Sequence, residues 1–156
     1  MSEYPRARIT TTHGEVVVEL WNDVAPGHVE NFTKLASDGF YDTLSFHRII
    51  PEFVIQGGCP EGTGTGGPGW MVKNEFNDRD HVEGTLSMAR SSDPDSAGSQ
   101  FFICLGREHC QHLDGQYTAF GQVVEGLDVV RKIGAIPTDA QDRPSEPAGM
   151  ETVEVL

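Results

Sequence analysis

Phe46-His47-Arg48-Ile49-Ile50-Pro51-Glu52-Phe53-Val54-Ile55-Gln56-Gly57-Gly58 consists of two β-prone segments broken at Pro51. β-branched and aromatic side chains suit a pleated, half-buried surface, and proline is confined to places where a ladder ends. Residues 45–50 and 53–57 are therefore expected as strands. Alternation sends His47 and Arg48 to opposite faces. It sets Val54 and Gln56 on one face and Phe53 on the other, unless the turn at Pro51 re-aims it. An arginine among so many apolar residues is costly to bury without a partner. From pattern alone, Arg48 reads as an edge-strand residue paired with a surface carboxylate.

The same grammar extends along the chain. Residues 8–12 and 15–20 are β-branched runs on either side of His13-Gly14, read as a hairpin with a tight turn. Further short strands are expected at 85–90, 100–105, 119–124 and 151–156. Between the hairpin and residue 45, Asp23 and Pro26 supply helix start signals and Gly39 a stop. Val29, Phe32, Thr33, Ala36 and Phe40 form an apolar stripe at helical spacing, with Glu30, Lys34 and Asp38 outside it. A second helix is expected from Leu127 to about Ile133, with Leu127, Val130 and Ile133 on one side. Many short strands separated by turn signals point to a sandwich or barrel. Residues 57–69 hold seven glycines and no periodicity, and 138–149 is a Pro- and acid-rich surface loop.

Two more segments are dense in chemistry. In Gly98-Ser99-Gln100-Phe101-Phe102-Ile103, Gln100 can donate and accept. Successive Phe residues face opposite ways, so either both are core or one lines a cavity. In Glu108-His109-Cys110-Gln111-His112, the close His, Cys and His invite a metal reading, and Cys110 an exposed, oxidisable one. No complete ligand set accompanies them, so no metal or cofactor is expected. The glycine-rich run lacks the Gly-Lys-Ser/Thr of a phosphate loop. Ser45, Ser87 and Ser99 carry no nucleophile-elbow pattern. His13, His28 and His81 read as turn or surface residues. Cys59, Cys104 and Cys110 show no framework spacing and are expected as free thiols.

The 156 residues suit one domain able to bury a core without staples. The chain carries 11 Lys+Arg against 24 Asp+Glu, a net charge of −13. That balance argues against a phosphate-backbone partner and against an anionic membrane surface. The acid excess reads as a solvated surface favouring solubility, and would also suit a salt-rich cytosol. No apolar run approaches a membrane span, and the N-terminus lacks the basic and apolar regions of a secretory leader, so a cytosolic location is expected.

The ordered motifs resemble the cyclophilin family of peptidyl-prolyl cis-trans isomerases. The resemblance rests on Phe46 to Pro51 with Phe53 and Gln56-Gly57-Gly58. It continues through Gly64-Thr65-Gly66-Gly67, Leu86-Ser87-Met88-Ala89, Gly98 to Ile103, and Leu113-Asp114-Gly115 with Phe120-Gly121. Asn31-Phe32 and Gly39-Phe40-Tyr41 fit the first helix and its exit. The match runs from about Ile9 to Leu156, and the compact loops look like those of bacterial and archaeal members. It implies an all-β fold, a closed eight-stranded antiparallel barrel capped by two helices, with residues 1–156 as one stand-alone isomerase domain. It also implies a proline-binding groove on the barrel's outer face.

By resemblance Arg48 is the catalytic arginine, with Gln56 beside it. Phe53, Val54, Phe102 and Leu113 form the proline pocket. Gln56 and Gln100 hold substrate backbone or position Arg48, and Ala89 and Arg90 present backbone to the residues before proline. His112 and Tyr117 complete the substrate-binding set. Val54 stands where Met is common, Arg90 where Asn is common, His112 in place of Trp and Tyr117 in place of His. Loss of that Trp implies weak cyclosporin binding. The expected partners are proline-containing peptides and protein clients, with the chain acting as a monomer that assists folding. A catalytically idle peptide-binding module on the same barrel remains the alternative.

Overall fold

A computed structural model describes residues 4–156; Met1, Ser2 and Glu3, which enter the argument about a leader, lie outside the described residues. The chain order is β1 (Arg6–Thr11), β2 (Gly14–Leu20), α1 (Pro26–Ser37), β3 (Arg48–Ile50), β4 (Val54–Gly57), β5 (Thr85–Met88), β6 (Phe101–Cys104), a 3₁₀ turn (Gln111–Leu113), β7 (Ala119–Glu125), α2 (Leu127–Gly134) and β8 (Met150–Val155). The strands form one sheet in the order β3-β4-β6-β5-β7-β2-β1-β8, and every pairing is antiparallel. β1 shows the alternation in its simplest form: Ala7, Ile9 and Thr11 are buried, while Arg6 is exposed and Arg8 and Thr10 are half-buried. The hairpin turn is Thr12-His13, one residue earlier than expected, because Gly14 already pairs with Thr11.

The expected closed barrel does not form. The sheet is an open, half-barrel arrangement with β3 and β8 as its edges. β3 is three residues long rather than the six expected. Its edge is covered by the loop before β8: the Ile49 N–H donates to the Asp142 carbonyl at 2.8 Å and the Phe46 N–H to Ala148 at 2.8 Å. Among the described residues one isolated bridge, Ser45 to Gly149, joins the two edges, flanked by the Met150 N–H to the Leu44 carbonyl at 2.8 Å. A covered edge manages unpaired backbone groups without a ladder.

The concave face carries the core. Ile49, Ile55, Ile103 and Leu86 lie on one rung across β3, β4, β6 and β5, and each is essentially inaccessible. α1 packs against β8, and α2 against β2, β3 and β4. Phe32 from α1 contacts the rings of Tyr41, Phe101 and Phe120 at centroid distances of 5.2, 5.5 and 5.5 Å. Burying one such side chain is worth ~1.5–3 kcal/mol. The α1 stripe differs from expectation in detail. Val29, Phe32 and Ala36 are buried and joined by Leu35, Thr33 is half-buried, and Phe40 lies beyond the helix.

Asp23 does not cap α1; the N-cap residue is Ala25, which has no side-chain cap. The Glu75 carboxylate does the work from 48 residues away, accepting the Gly27 N–H at 3.1 Å and the His28 N–H at 2.8 Å. A carboxylate there satisfies orphan donors and meets the positive end of the helix dipole. In α2 the buried set is Val129, Val130, Ile133 and Gly134, with Leu127 only half-buried.

Gly126 opens α2 at φ +88°, and a Cβ there would press on the Glu15 carbonyl oxygen. Neither the backbone contact nor the left-handed conformation suits another residue. Gly126→Ala is expected to lower unfolding stability by at least about 2 kcal/mol, read as a shifted urea midpoint. An unshifted midpoint would show that the β7–α2 junction relaxes freely.

Candidate functional site

One rung of the sheet explains the site. Arg48 pairs with Gln56, Gln56 with Phe102, and Phe102 with Ser87, across β3, β4, β6 and β5. Residues directly opposite one another project to the same side, so Arg48, Gln56 and Phe102 share the convex face, opposite the Ile rung of the core. Phe101 belongs to the main core, while Phe102 joins Val54, Cys104, Cys110 and Leu113 in a second apolar cluster. The two adjacent Phe residues therefore do divide between core and cavity.

A cavity of about 130 Å³ opens on this face, lined by Arg48, Phe53, Val54, Gln56, Ala89, Arg90, Phe102, Leu113 and Tyr117. A larger hollow of about 590 Å³ adjoins it, sharing Gln56, Ala89 and Arg90 and extending past Gln100 to Trp70 and Met71. The structure thus brings together nine of the eleven residues singled out from sequence around the small cavity. Gln100 lines the adjoining hollow instead. His112 lines neither; its ring stacks on Phe53 at 5.8 Å. Leu113 enters on the 3₁₀ turn, where sequence suggested only loop.

Arg48 is exposed, and its partner is not the carboxylate expected from pattern. Nη1 donates to the Gln56 Oε1 at 3.1 Å, and no carboxylate lies within 4.0 Å of the guanidinium among the described residues. The Gln56 Nε2 donates to the Gln100 Oε1 at 3.1 Å, and the Gln100 Nε2 to the Gly64 and Gly66 carbonyls at 3.0 and 2.9 Å. This amide chain fixes the guanidinium without neutralising it. It ends on the glycine-rich loop, whose Gly64 and Gly66 N–H groups both donate to the Cys59 Sγ, at 3.3 and 3.2 Å. Burial would raise the Cys59 thiol, but the N–H groups of Gly66, Gly64, Glu61 and Thr63 outweigh it and bring the pKa down to about 7. Cys59 as the organiser of this loop was not evident from sequence.

Of the backbone groups expected to face the residues before proline, one is already committed. The Ala89 N–H is already engaged with the Gln100 carbonyl at 3.0 Å, so it is not open to a ligand. The Arg90 guanidinium spans the groove margin. Nε and Nη2 donate to the Gln116 carbonyl at 3.0 and 2.8 Å, and the group lies 4.6 Å over the Tyr117 ring.

Behind the pocket wall runs a line that sequence did not reveal. His81, read as a surface residue, is fully buried, as is His28. The His81 Nδ1 meets Asp114 Oδ1 at 3.1 Å and Nε2 meets Ser87 Oγ at 2.8 Å. Burial holds His81 below its ordinary pKa against the pull of Asp114. The neutral ring therefore donates from Nδ1 and accepts the Ser87 hydroxyl at Nε2. A Ser-His-Asp line of this kind suggests acyl transfer, but Ser87 is fully buried behind Phe102, whose ring His81 stacks at 6.3 Å. The line thus backs the Phe102 face of the cavity with fully paired polar groups. His28 likewise donates from Nδ1 to Glu75 at 2.6 Å, leaving its buried Nε2 unpartnered.

The three cysteines are free thiols, and Cys110 is buried rather than exposed. Its Sγ donates to the Phe53 carbonyl at 3.2 Å, while His109 faces Glu52 at 3.6 Å and His112 stacks on Phe53. The three residues of the metal reading thus point to different partners.

Burial is the first cause holding His28, His47 and His81 below the ordinary value, against Glu75 for His28 and against Asp114 for His81. The unfolded chain binds protons at these positions before the folded one does. Stability is then fully present above the unfolded pKa of about 6.5 and falls as pH drops below it. Urea midpoints measured across that range are expected to decline from about pH 6.5 downward. A midpoint flat until the carboxylate range would contradict the neutral, buried assignment.

Residues 6–155 match the family described as cyclophilin type peptidyl-prolyl cis-trans isomerase. A peptidyl-prolyl cis-trans isomerase of Synechococcus elongatus is 51% identical over 130 residues, covering 82% of this chain and 88% of that protein. Peptidyl-prolyl cis-trans isomerase B of Bacillus subtilis is 51% identical over 121 residues, covering 76% and 82%. The crystal structure of a cyclophilin type isomerase from Cryptosporidium parvum superposes with a TM-score of 0.93 at 31% identity, covering 98% of each chain. The same protein has been solved in the presence of the dipeptide Ala-Pro, with a TM-score of 0.92 at 32% identity, covering 97% of this chain and 98% of that one.

Proposed function

The chain belongs to the cyclophilin-type peptidyl-prolyl cis-trans isomerase family and catalyses rotation about X-Pro bonds, and from that premise we propose that Arg48 drives the rotation in a pocket built from Phe53, Val54, Phe102 and Leu113. The observation that carries this is the guanidinium of Arg48, held by a neutral amide and left uncompensated beside the Phe53, Val54, Phe102 and Leu113 side chains that line the same cavity.

Rotation needs no nucleophile and no net proton transfer. The barrier of ~18–20 kcal/mol comes from C–N double-bond character, and the uncatalysed X-Pro bond turns over in tens to hundreds of seconds. A turnover of ~10³ s⁻¹ requires about five decades of acceleration, roughly 7 kcal/mol. In the planar amide the proline nitrogen has no lone pair to offer; in the twisted state it regains one. A guanidinium fixed beside it donates to the twisted form alone, which is differential transition-state binding. Arginine suits the task because its fork is rigid and stays protonated.

The apolar pocket anchors the proline ring, and Gln56 orients Arg48. Gln100 and the backbone groups of Ala89 and Arg90 other than the engaged Ala89 N–H hold the residues before proline, and Tyr117 supports the rim under Arg90. One side is thereby fixed while the other turns. A single domain spanning 1–156, acting as a cytosolic monomer on proline-containing peptides and folding clients, fits this chemistry. No helix is long and apolar enough to cross a membrane among the described residues. His112, packed flat on Phe53, offers no indole at the rim, so cyclosporin binding is expected to be weak; potent inhibition at nanomolar drug contradicts that. The proposed activity is tested by NMR exchange on a short X-Pro peptide. Accelerated exchange with Arg48 present supports the reading, and binding without exchange would make the chain an idle peptide-binding module.

A further inference from the structure

A second hollow, of about 410 Å³, lies where the loop before β8 meets the chain entering β3, and the isomerase chemistry makes no use of it. Ser45 and His47 line one side, Gly62 the rim, and Arg143, Ser145 and Glu146 the other side. Its polar inventory is lopsided. His47 is 8% exposed, and its Nδ1 is buried with no hydrogen-bond partner. Among the described residues the hydroxyls of Ser45 and Ser145 make no hydrogen bond. The Arg143 guanidinium makes, among the described residues, one hydrogen bond, Nη1 to the Gly62 carbonyl at 3.3 Å, and has no carboxylate within 4.0 Å. The one acid in the lining, Glu146, is turned to the His13 Nε2 at 3.4 Å. The hollow therefore gathers a guanidinium, an imidazole and two hydroxyls, met only by the Gly62 carbonyl and by the Glu146 carboxylate that is turned to His13.

The wall carrying Arg143 is fixed. The Asp139 N–H donates to the Arg143 carbonyl at 3.0 Å, the Ile49 N–H to Asp142 at 2.8 Å, and the Ser145 N–H to Pro137 at 2.8 Å. The Arg143 N–H is itself held by Asp139 Oδ1 at 3.1 Å. We propose that this hollow binds a small oxyanion, phosphate or carboxylate in kind, gripped by the Arg143 fork and completed by His47, Ser45 and Ser145. A planar guanidinium matches two oxygens at once. The His47 ring lines the hollow and adds a donor there in the tautomer or protonation state that carries a proton on the nitrogen facing the ligand. Burial and the charges of Arg143 and Arg48 hold His47 below its ordinary pKa, in keeping with a locally positive field. The chain's net charge of −13 disfavours general attraction of anions, so saturable binding here reports these donors rather than the overall field.

The test is an amide chemical-shift titration of the whole protein with sodium phosphate and sodium acetate, against sodium chloride at matched ionic strength. Saturable shifts at Ser45, His47, Gly62 and Ser145 are expected with phosphate, acetate or both, and the tighter of the two identifies the kind of oxyanion. Arg143→Gln is expected to weaken binding about tenfold or more, and Ser145→Ala by less, both with unchanged proline-peptide exchange. The proposal is overturned by shifts that never saturate, by equal shifts in chloride, or by undiminished binding in Arg143→Gln.

Discussion

Arg48→Ala lowers kcat/KM for proline-peptide isomerisation by at least about a hundredfold, equivalent to ~2.7 kcal/mol of lost transition-state stabilisation, and leaves the fold intact. The side chain is exposed and, among the described residues, its one hydrogen bond goes to the neutral Gln56 amide. Its removal therefore strands no buried charge and opens no cavity in the core, and surface changes of that kind usually stay within about 0.5 kcal/mol of parental stability. Catalysis has no substitute for it: Arg90, the other cation lining the cavity, is committed to the Gln116 carbonyl and the Tyr117 ring. A loss of activity at parental urea midpoint separates chemistry from folding. Activity near the parental value would transfer the work to the apolar pocket and the amide chain alone.

Phe102→Ala changes both stability and activity. Phe102 is 5% exposed, packs edge-on to Tyr117 at 5.7 Å and stacks on His81 at 6.3 Å. Truncating a buried Phe costs about 3–5 kcal/mol through lost transfer energy and the cavity left behind. The change also removes the wall that seats the proline ring and uncovers the Ser87–His81–Asp114 line. The expected result is a large drop in urea midpoint together with a raised KM. Phe102→Leu keeps much of the apolar surface and recovers most of the stability, so KM can be read in a folded protein. Unchanged KM in Phe102→Leu and in folded Phe102→Ala would remove this side chain from the proline pocket.

What sequence made legible follows from the range of the interactions concerned. The α1 stripe repeats within a few residues, so Val29, Phe32 and Ala36 announce their buried face. The opposite facing of Phe101 and Phe102 follows from strand alternation within β6, whereas His47 lies just outside β3, in the chain entering it, and is buried. The cap on α1 is invisible because Glu75 reaches it from 48 residues away. His28 and His81 look like turn residues because their acceptors, Glu75 and Asp114, lie far along the chain. Closure of the barrel was expected by resemblance, whereas the edge of β3 is met by the carbonyls of Asp142 and Ala148 in an acidic loop with no strand pattern. For the candidate site, pattern alone suggested only an edge-strand arginine with a carboxylate partner, and the roles of its residues came from the resemblance; the partner is the Gln56 amide, which strand pairing with β4 brings opposite Arg48.

The most direct measurement is the exchange rate of a saturating X-Pro peptide by two-dimensional NMR with the parental protein and with Arg48→Lys. Lysine keeps the positive charge but loses the rigid fork held by Gln56. If a fixed guanidinium donates to the twisted proline nitrogen, kcat falls by orders of magnitude while the peptide still binds. If kcat in Arg48→Lys stays at the parental value, the rotation does not depend on that guanidinium, and the mechanism is wrong.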